Sequence, residues 1–254
     1  MSWTSRRQGL YFLGFIIILI VVVGIPAFFY FYKAPTCSDG IQNGKEEGID
    51  CGGGCSVICS FKAVAPQIHW SRLFQVVPGL YTVVASVENQ NLSYETDNLS
   101  YAFKLRDKDG VLVYEQKGQA YLPSRYVLPV FATGIRTGER IPTRVDFEFL
   151  GEPVWTETTS AWDSGVDVVR RVLENEETAP RLSATLRNTT LKDITGMPFV
   201  AILFDSDGNA LQASRTIVEL LPASSDVNVV FTWPAVFPRP VAQIDIVAIP
   251  TSPR

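Results

Sequence analysis

The sequence has little of the chemistry that most enzymes use, because it contains a single histidine, His69, among its 254 residues. Histidine is the common general acid or base at neutral pH, so histidine-dependent catalysis would have to rest on this residue. His69 lies beside Trp70 on a predicted strand, where we expect a structural side chain. The sequence also lacks a glycine-rich phosphate loop and a zinc-peptidase motif. We therefore expect a protein that is not an enzyme.

Two pairs of carboxylates could be nominated for glycoside hydrolysis, Asp107 with Asp109 and Asp205 with Asp207. Both pairs lie in predicted turns, where aspartate side chains accept hydrogen bonds from nearby backbone N–H groups. We assign these residues a structural role and predict no catalytic residue.

A basic surface is also missing. The net charge is −4, and runs of one sign of charge are short. Proteins that bind nucleic acids usually carry a strongly basic face. We predict no nucleic-acid partner.

One long apolar run is present, at residues 10–32. As a helix it would reach about 35 Å, enough to cross a bilayer core of about 30 Å. Signal-peptide cores are usually about 7 to 15 residues long, so we favour an uncleaved anchor over a cleaved secretion signal. Arg6 and Arg7 precede the run, and such charges stay in the cytoplasm. We expect a single-pass protein of the cell membrane with a cytoplasmic N-terminus and extracytoplasmic C-terminal domains.

The four cysteines, Cys37, Cys51, Cys55 and Cys59, follow the apolar run closely. Thiols outside the cytoplasm tend to be oxidised, and a segment this small needs a covalent staple to fold. We predict two disulfides, and the sequence leaves three connectivities open. A zinc site or a redox site is disfavoured, because there is no Cys-x-x-Cys pair and no histidine nearby.

Oxygen-bearing side chains stand between the first two cysteines. They are Asp39, Asn43, Glu46, Glu47 and Asp50. Calcium takes six to eight oxygen ligands, and glycines let a short loop curl around an ion. An EF-hand is disfavoured, because Ile41 occupies a ligand position and no flanking helices are predicted. Two alternatives stay open: a calcium site, or a solvated acidic loop that is closed by disulfides and needs no cofactor.

Residues 37–59 resemble a short cysteine-rich motif, Cys-x-Asp-Gly-x-x-Asn-Gly-x-Glu-x-Gly-x-Asp-Cys-Gly-Gly-x-Cys. This motif recurs in bacterial and archaeal surface proteins. The resemblance implies an extracytoplasmic module and no particular chemistry.

The rest of the chain contains one pattern twice. The matching segments are Val87-Glu88-Asn89 with Leu186-Arg187-Asn188, residues 105–110 with 203–208, Leu122-Pro123 with Leu221-Pro222, Phe131 with Phe231, and Val145-Asp146 with Ile244-Asp245. Matches in the same order at an offset of about 100 residues indicate two copies of one domain. We place the copies at 61–152 and 153–254, after a tail and anchor at 1–33 and a cysteine-rich neck at 34–60.

The sequence pattern of each copy predicts β-structure. Residues 81–87 and 182–186 combine β-branched content with alternation, and no long stretch after the anchor has helical periodicity. The Asp-x-Asp-Gly sequences at 107–110 and 205–208 are typical of hairpin turns. Short strands between turns over this length favour an immunoglobulin-like sandwich. The predicted fold class is mainly β: an N-terminal transmembrane helix, a small disulfide-rich segment and two tandem antiparallel β-sandwiches.

Residues 103–107 and 201–205 resemble the FxLYD motif of a group of bacterial extracytoplasmic β-sandwich domains. Arg106 stands in place of the tyrosine, and Ala201 stands in place of the phenylalanine of the second copy. The flanking residues of that pattern, an asparagine before the motif and a glycine after it, are Asn89 with Gly110 and Asn188 with Gly208. The resemblance implies a β-sandwich fold and a role in adhesion or envelope association.

These features together predict a non-catalytic binding or scaffolding module of the cell envelope. The anchor holds the protein in the membrane. The expected partner is an envelope protein or a wall component, which edge strands and loop tips would contact. The alternatives are a structural spacer without a specific ligand and an envelope hydrolase with an unrecognised site.

Overall fold

The structure is a computed structural model, and it describes residues 3–32 and 34–252, with side chains from residue 8 onward. The orientation predicted from Arg6 and Arg7 rests on side chains outside this described part and stays a prediction. The chain divides into two compact units, Met1–Cys55 and Ser56–Arg254.

The first unit begins with a helix that is interrupted by one wider turn. Helix α1 spans Trp3–Leu19, a π-helical turn spans Ile20–Gly24, and helix α2 spans Ile25–Phe31. Pro26 has no N–H to donate to the preceding turn, which is a common cause of such a local widening. The segment Gln8–Phe31 is long and apolar enough to cross a membrane, with a mean hydropathy of 3.0. This confirms the predicted apolar helix.

The neck that follows is a loop closed by covalent bonds. Cys37 forms a disulfide with Cys55 across 18 residues, and their Cα atoms lie 5.7 Å apart. Cys51 and Cys59 are disulfide-bonded as well. No cysteine among the described residues is free, so the prediction of two disulfides is confirmed.

The second unit consists of antiparallel strands. After a short strand β1 (Val57–Ile58) and a 3₁₀ turn (Ser60–Lys62), the first half contains β2 (Gln67–Val77), β3 (Leu80–Asn89), β4 (Tyr94–Arg106), β5 (Leu112–Leu122), β6 (Tyr126–Arg136), β7 (Arg144–Phe149) and β8 (Trp155–Glu157). The second half contains β9 (Val166–Glu174), β10 (Arg181–Asn188), β11 (Ile194–Phe204), β12 (Ala210–Leu221), β13 (Asp226–Thr232) and β14 (Gln243–Ala248).

The two halves repeat one topology. In the first half, β3 lies between β2 and β6, while β4 lies between β5 and β7. In the second half, β10 lies between β9 and β13, while β11 lies between β12 and β14. Each half is therefore a sandwich of two antiparallel sheets with the same strand order. The predicted fold class is confirmed.

Strand β8 is an addition to this symmetry. It pairs with β1 and with Tyr94 and Glu95 of β4, so it extends a sheet of the first sandwich. Trp155 is buried there at 2% exposure. Residues 155–157 belong to the predicted second copy by position but pair with strands of the first.

Alternating side chains fill the interior of each sandwich, as a pleated strand requires. The core of the first sandwich includes Tyr81, Val83, Ala85 and Val87 of β3, packed against aromatic and aliphatic side chains of β4. The core of the second is built in the same way around Leu182, Ala184, Leu186, Phe199 and Leu203.

A third apolar cluster joins the two sandwiches. It consists of Phe74, Val84, Val200, Ile202 and Ala213, which point away from their own sandwich cores. Val84 and Val200 are completely buried. Strands β3 and β11 are therefore covered on both faces, and the β2-β3-β6 sheet packs face to face against the β12-β11-β14 sheet.

One buried asparagine braces each sandwich at the loop after its second strand. The side-chain amide of Asn188 donates to the carbonyls of Lys192, Leu221 and Pro222 at 2.8 to 3.1 Å. Its Oδ1 accepts the backbone N–H of Thr190 at 2.8 Å. Asn89 makes the corresponding contacts in the first sandwich: its amide donates to Tyr94 and Pro123, and its Oδ1 accepts the N–H of Asn91. Both side chains are buried and fully paired, which explains why asparagine occurs at both positions.

We expect replacement of this brace to destabilise the fold. Asn188→Ala would leave buried carbonyls and one N–H without partners, at a cost of about 3 kcal/mol in the free energy of unfolding. Asn98→Ala, at an exposed asparagine of the same unit, should change it by less than about 0.5 kcal/mol. Urea unfolding of a soluble chain that begins at Ala34 measures both values. Equal effects of the two substitutions would contradict the role of Asn188.

Candidate functional site

The acidic side chains of the neck bind the neck's own backbone. The Asp50 carboxylate accepts the backbone N–H groups of Asp39 and Gly40, each at 2.9 Å. The Asp39 carboxylate accepts the N–H of Ile41 at 3.0 Å and the side-chain amide of Asn43 at 2.9 Å. The hydrogen bond from Asn43 is the main reason why the pKa of Asp39 lies below its usual value.

The structure brings the predicted calcium ligands Asp39, Asn43, Glu46 and Asp50 into this network. Glu46 joins it by accepting the backbone N–H of Asn43 at 3.2 Å. Glu47 contributes its backbone N–H, which bonds the carbonyl of Cys51 at 3.0 Å. The Oδ1 atom of Asn43 is buried, and it has no hydrogen-bond partner among the described residues. The hydrogen bonds favour the closed acidic loop, and the calcium site stays a prediction.

A cluster of Cys37, Glu46 and Cys55 has the compactness of a metal site, with ligand atoms within 4.8 Å of one another. The two sulfur atoms are joined in a disulfide, however. A disulfide sulfur carries no thiolate charge, so it does not serve as a zinc ligand.

The two carboxylate pairs nominated for hydrolysis lie in hairpin turns. Asp107 Oδ1 accepts the N–H groups of Asp109 and Val111, at 3.0 and 2.9 Å. Asp205 Oδ1 accepts those of Asp207 and Asn209, at 3.0 and 2.8 Å. Both first aspartates therefore hold the turn that the sequence predicts.

The single histidine lies on the surface. His69 Nε2 is 3.0 Å from a carboxylate oxygen of Glu88 on the neighbouring strand, and both side chains are about one-third exposed. This is a cross-strand surface pair.

A cleft with a volume of about 320 Å³ lies where the two sandwiches meet. No residue pattern in the sequence predicts it. Its walls come from both halves and from the segment after β14: Asp97, Tyr101, Gln119, Ala120, Tyr121, Leu128, Pro129, Val130, Phe131, Pro198, Arg215, Ile249, Pro250 and Ser252. The volume falls in the lower part of the range of small-ligand pockets, about 300 to 1,000 Å³.

Tyr101 of β4 is nearly buried in this wall, with 9% exposure. Its ring lies directly over Gly118 of β5, since a Cβ at Gly118 would come within 2.4 Å of the Tyr101 Oη atom. Glycine in the middle of a strand is costly, and such a close approach is a common reason for it. Burial raises the pKa of Tyr101, so its hydroxyl stays protonated at neutral pH.

Charged groups lie on different walls of the cleft. The guanidinium of Arg215 is 5.7 Å from the centre of the Phe131 ring, within the range of a cation–π contact. Asp97 accepts a hydrogen bond from the Ser252 hydroxyl at 2.9 Å. Tyr121 donates to Glu95 at 2.9 Å, and burial, followed by this hydrogen bond, raises the pKa of Tyr121. The cleft thus combines aromatic and proline surfaces with one cation and one carboxylate, which suits binding more than bond cleavage.

No family model matches the chain, and no curated protein is significantly similar to it. The likeness to FxLYD domains and to the cysteine-rich surface motif therefore stays a resemblance.

We expect the hydrogen bonds of Asp205 to make the stability of the folded protein depend on pH in the acidic range. Hydrogen bonds from Asn209, first of all from its backbone N–H, hold the pKa of Asp205 below its usual value of 3.8. The stabilisation by the ionised Asp205 is present at neutral pH and is lost as the pH falls below 3.8 towards the pKa in the folded protein.

The thermal midpoint of Asp205→Asn should thus lie below that of the parent at pH 7, and the difference should vanish as the pH falls below 3.8. Asp207→Asn changes a carboxylate that is 73% exposed, and it serves as the matched control. Melting curves from pH 7 to about 2.5 test this. A difference for Asp205→Asn that does not change with pH would refute the assignment.

Proposed function

We propose that the protein is a single-pass, membrane-anchored extracytoplasmic protein that acts as a non-catalytic binding or scaffolding module of the cell envelope. The helix Gln8–Phe31 supports the anchor, and the disulfide-bonded neck supports an oxidising compartment. The expected partner is an envelope protein or a wall component.

The cleft between the sandwiches is the observation that carries this proposal. It exists because the sheets pack face to face, which places Tyr101 of the first sandwich near Arg215 of the second. Apolar walls supply contact area, and a few charged groups fix the orientation of what binds, which is the usual composition of a binding pocket. Neither sandwich could form the cleft alone.

The same packing disfavours the structural spacer. A spacer gains reach when its modules follow one another end to end. Here the two sandwiches lie side by side through the cluster around Val84 and Val200, so the second copy widens the unit and adds a shared surface.

The proposal predicts that the protein binds a partner saturably and that this binding depends on Arg215. A soluble, oxidised chain beginning at Ala34 would be immobilised and exposed to detergent-solubilised envelope extract and to wall glycan, with retained species identified by mass spectrometry. Arg215→Ala should lower retention of the partner at least about fivefold, since it removes the charged contact of the cleft.

Arg170→Ala is the matched control, because Arg170 is an exposed arginine on edge strand β9, outside the cleft lining. It should leave retention unchanged. Equal retention by parent, Arg215→Ala and Arg170→Ala would place binding elsewhere, and no retention by the parent would favour the spacer. Running both arms with and without calcium also tests the neck loop.

A further inference from the structure

We infer that one end of the second unit is a lipid-contact face, formed by the exposed apolar side chains Phe61, Val64, Leu92 and Leu191. We name this set the loop-tip face. The inference rests on the anchoring part of the proposed function and is independent of the cleft.

The two leucines are equivalent in the repeat. Leu92 follows the brace Asn89, and Leu191 follows the brace Asn188, at the same spacing. They are 67% and 90% exposed. Single exposed apolar residues are common, but the same exposed leucine at the tip of the same loop in both copies is not expected from chance scatter.

The loops that carry these leucines are held firmly. The buried Asn89 and Asn188 side chains fix the backbone of each loop through the hydrogen bonds described above. In the first sandwich, Arg125 also donates to the carbonyl of Leu92 at 3.0 Å. The leucines are therefore presented to solvent by an ordered backbone.

Two more apolar side chains lie at this end of the first sandwich. Val64 is 52% exposed and is tied to the loop by Asn91, which bonds both its N–H and its carbonyl, at 2.7 and 2.8 Å. Phe61, in the 3₁₀ turn just before, is 71% exposed. Both belong to the segment by which the chain leaves the neck.

The two leucine loops lie on the same side of the unit. Tyr126, the first residue of β6, pairs with Asn89, the last residue of β3. It therefore lies next to the Leu92 loop, which begins directly after Asn89. Its hydroxyl donates to the carbonyl of Ala248 at 2.7 Å, and its ring packs edge-on against Trp162. Ala248 opposes Phe199 at the middle of β11. Gly165, three residues after Trp162, accepts the backbone N–H of Thr189 in the Leu191 loop at 2.9 Å.

The covalent connection to the apolar helix favours a lipid surface as the binding partner of the loop-tip face. The loop-tip face is the end that follows the neck, and the Cys37–Cys55 disulfide closes an 18-residue separation, which shortens the covalent path from the apolar helix. A tether this short keeps the face at high effective concentration near a membrane, so that even weak insertion is populated. Phenylalanine, leucine and valine are suited to the boundary between headgroups and acyl chains.

Charge adds little to this contact. Lys62, Arg125 and Lys192 are exposed basic residues at this end, and Asp163 and Asp193 are exposed acids beside the leucine loops. We therefore expect insertion to depend on apolar side chains and to occur on neutral lipid.

The test uses the full chain in phosphatidylcholine nanodiscs that contain doxyl-labelled lipid. A fluorescent amino acid would replace Leu92, Leu191 or Val111 in separate samples, with Val21 of the helix as a further position. Val111 is the matched control, because it is 50% exposed and lies in the hairpin turn after β4, at the opposite end of that strand. Val21 reports on the anchor itself.

Doxyl lipid should quench the fluorophore at positions 92 and 191 at least about twice as strongly as at position 111. Equal quenching at these three positions, with strong quenching at position 21, would overturn the lipid face and leave the anchor intact. Absence of quenching at position 21 would refute the anchor, and the lipid face with it. Shielding of positions 92 and 191 from aqueous iodide without lipid quenching would indicate a protein partner and would also overturn the inference.

Discussion

The apolar contact between β3 and β11 is the interaction on which the rest of the second unit depends. Most sandwich strands bury one face and expose the other. Val84 of β3 and Val200 of β11 point away from their own cores and are completely buried against the partner sandwich. This contact turns two small domains into one unit, and it creates the cleft beside Tyr101 and Arg215.

Polar side chains with fixed local partners set the geometry around this contact. Asn89 and Asn188 brace one end of each sandwich, while Asp107 and Asp205 hold a hairpin turn at the other. These four residues belong to the pattern that the two copies share. The residues that the two copies share at these positions therefore meet structural requirements of the sandwich.

Much of the fold could be predicted, because it depends on local patterns. Direct physical arguments connect four sequence patterns to structure: the apolar run, the cysteine content, the alternation within strands and the internal repeat. The contact between the sandwiches was missed, although one signal was present. In the aligned motifs, Lys104 and Arg106 of β4 correspond to Ile202 and Phe204 of β11, so β11 is apolar on both faces whereas β4 is not. The cleft depends on how whole sheets pack and has no signature of its own. In the neck, the sequence indicated the oxygen atoms but not the N–H groups that they accept.

The central claim is that the two sandwiches fold as one cooperative unit. Hydrogen exchange followed by mass spectrometry tests it most directly, because amides that open only by global unfolding exchange slowest and at a common rate. The account predicts that peptides from β3 and from β11 are the most protected of the second unit and share one rate. Exchange of β11 at a rate well above that of β3 would show that the second sandwich opens independently, and it would contradict the account.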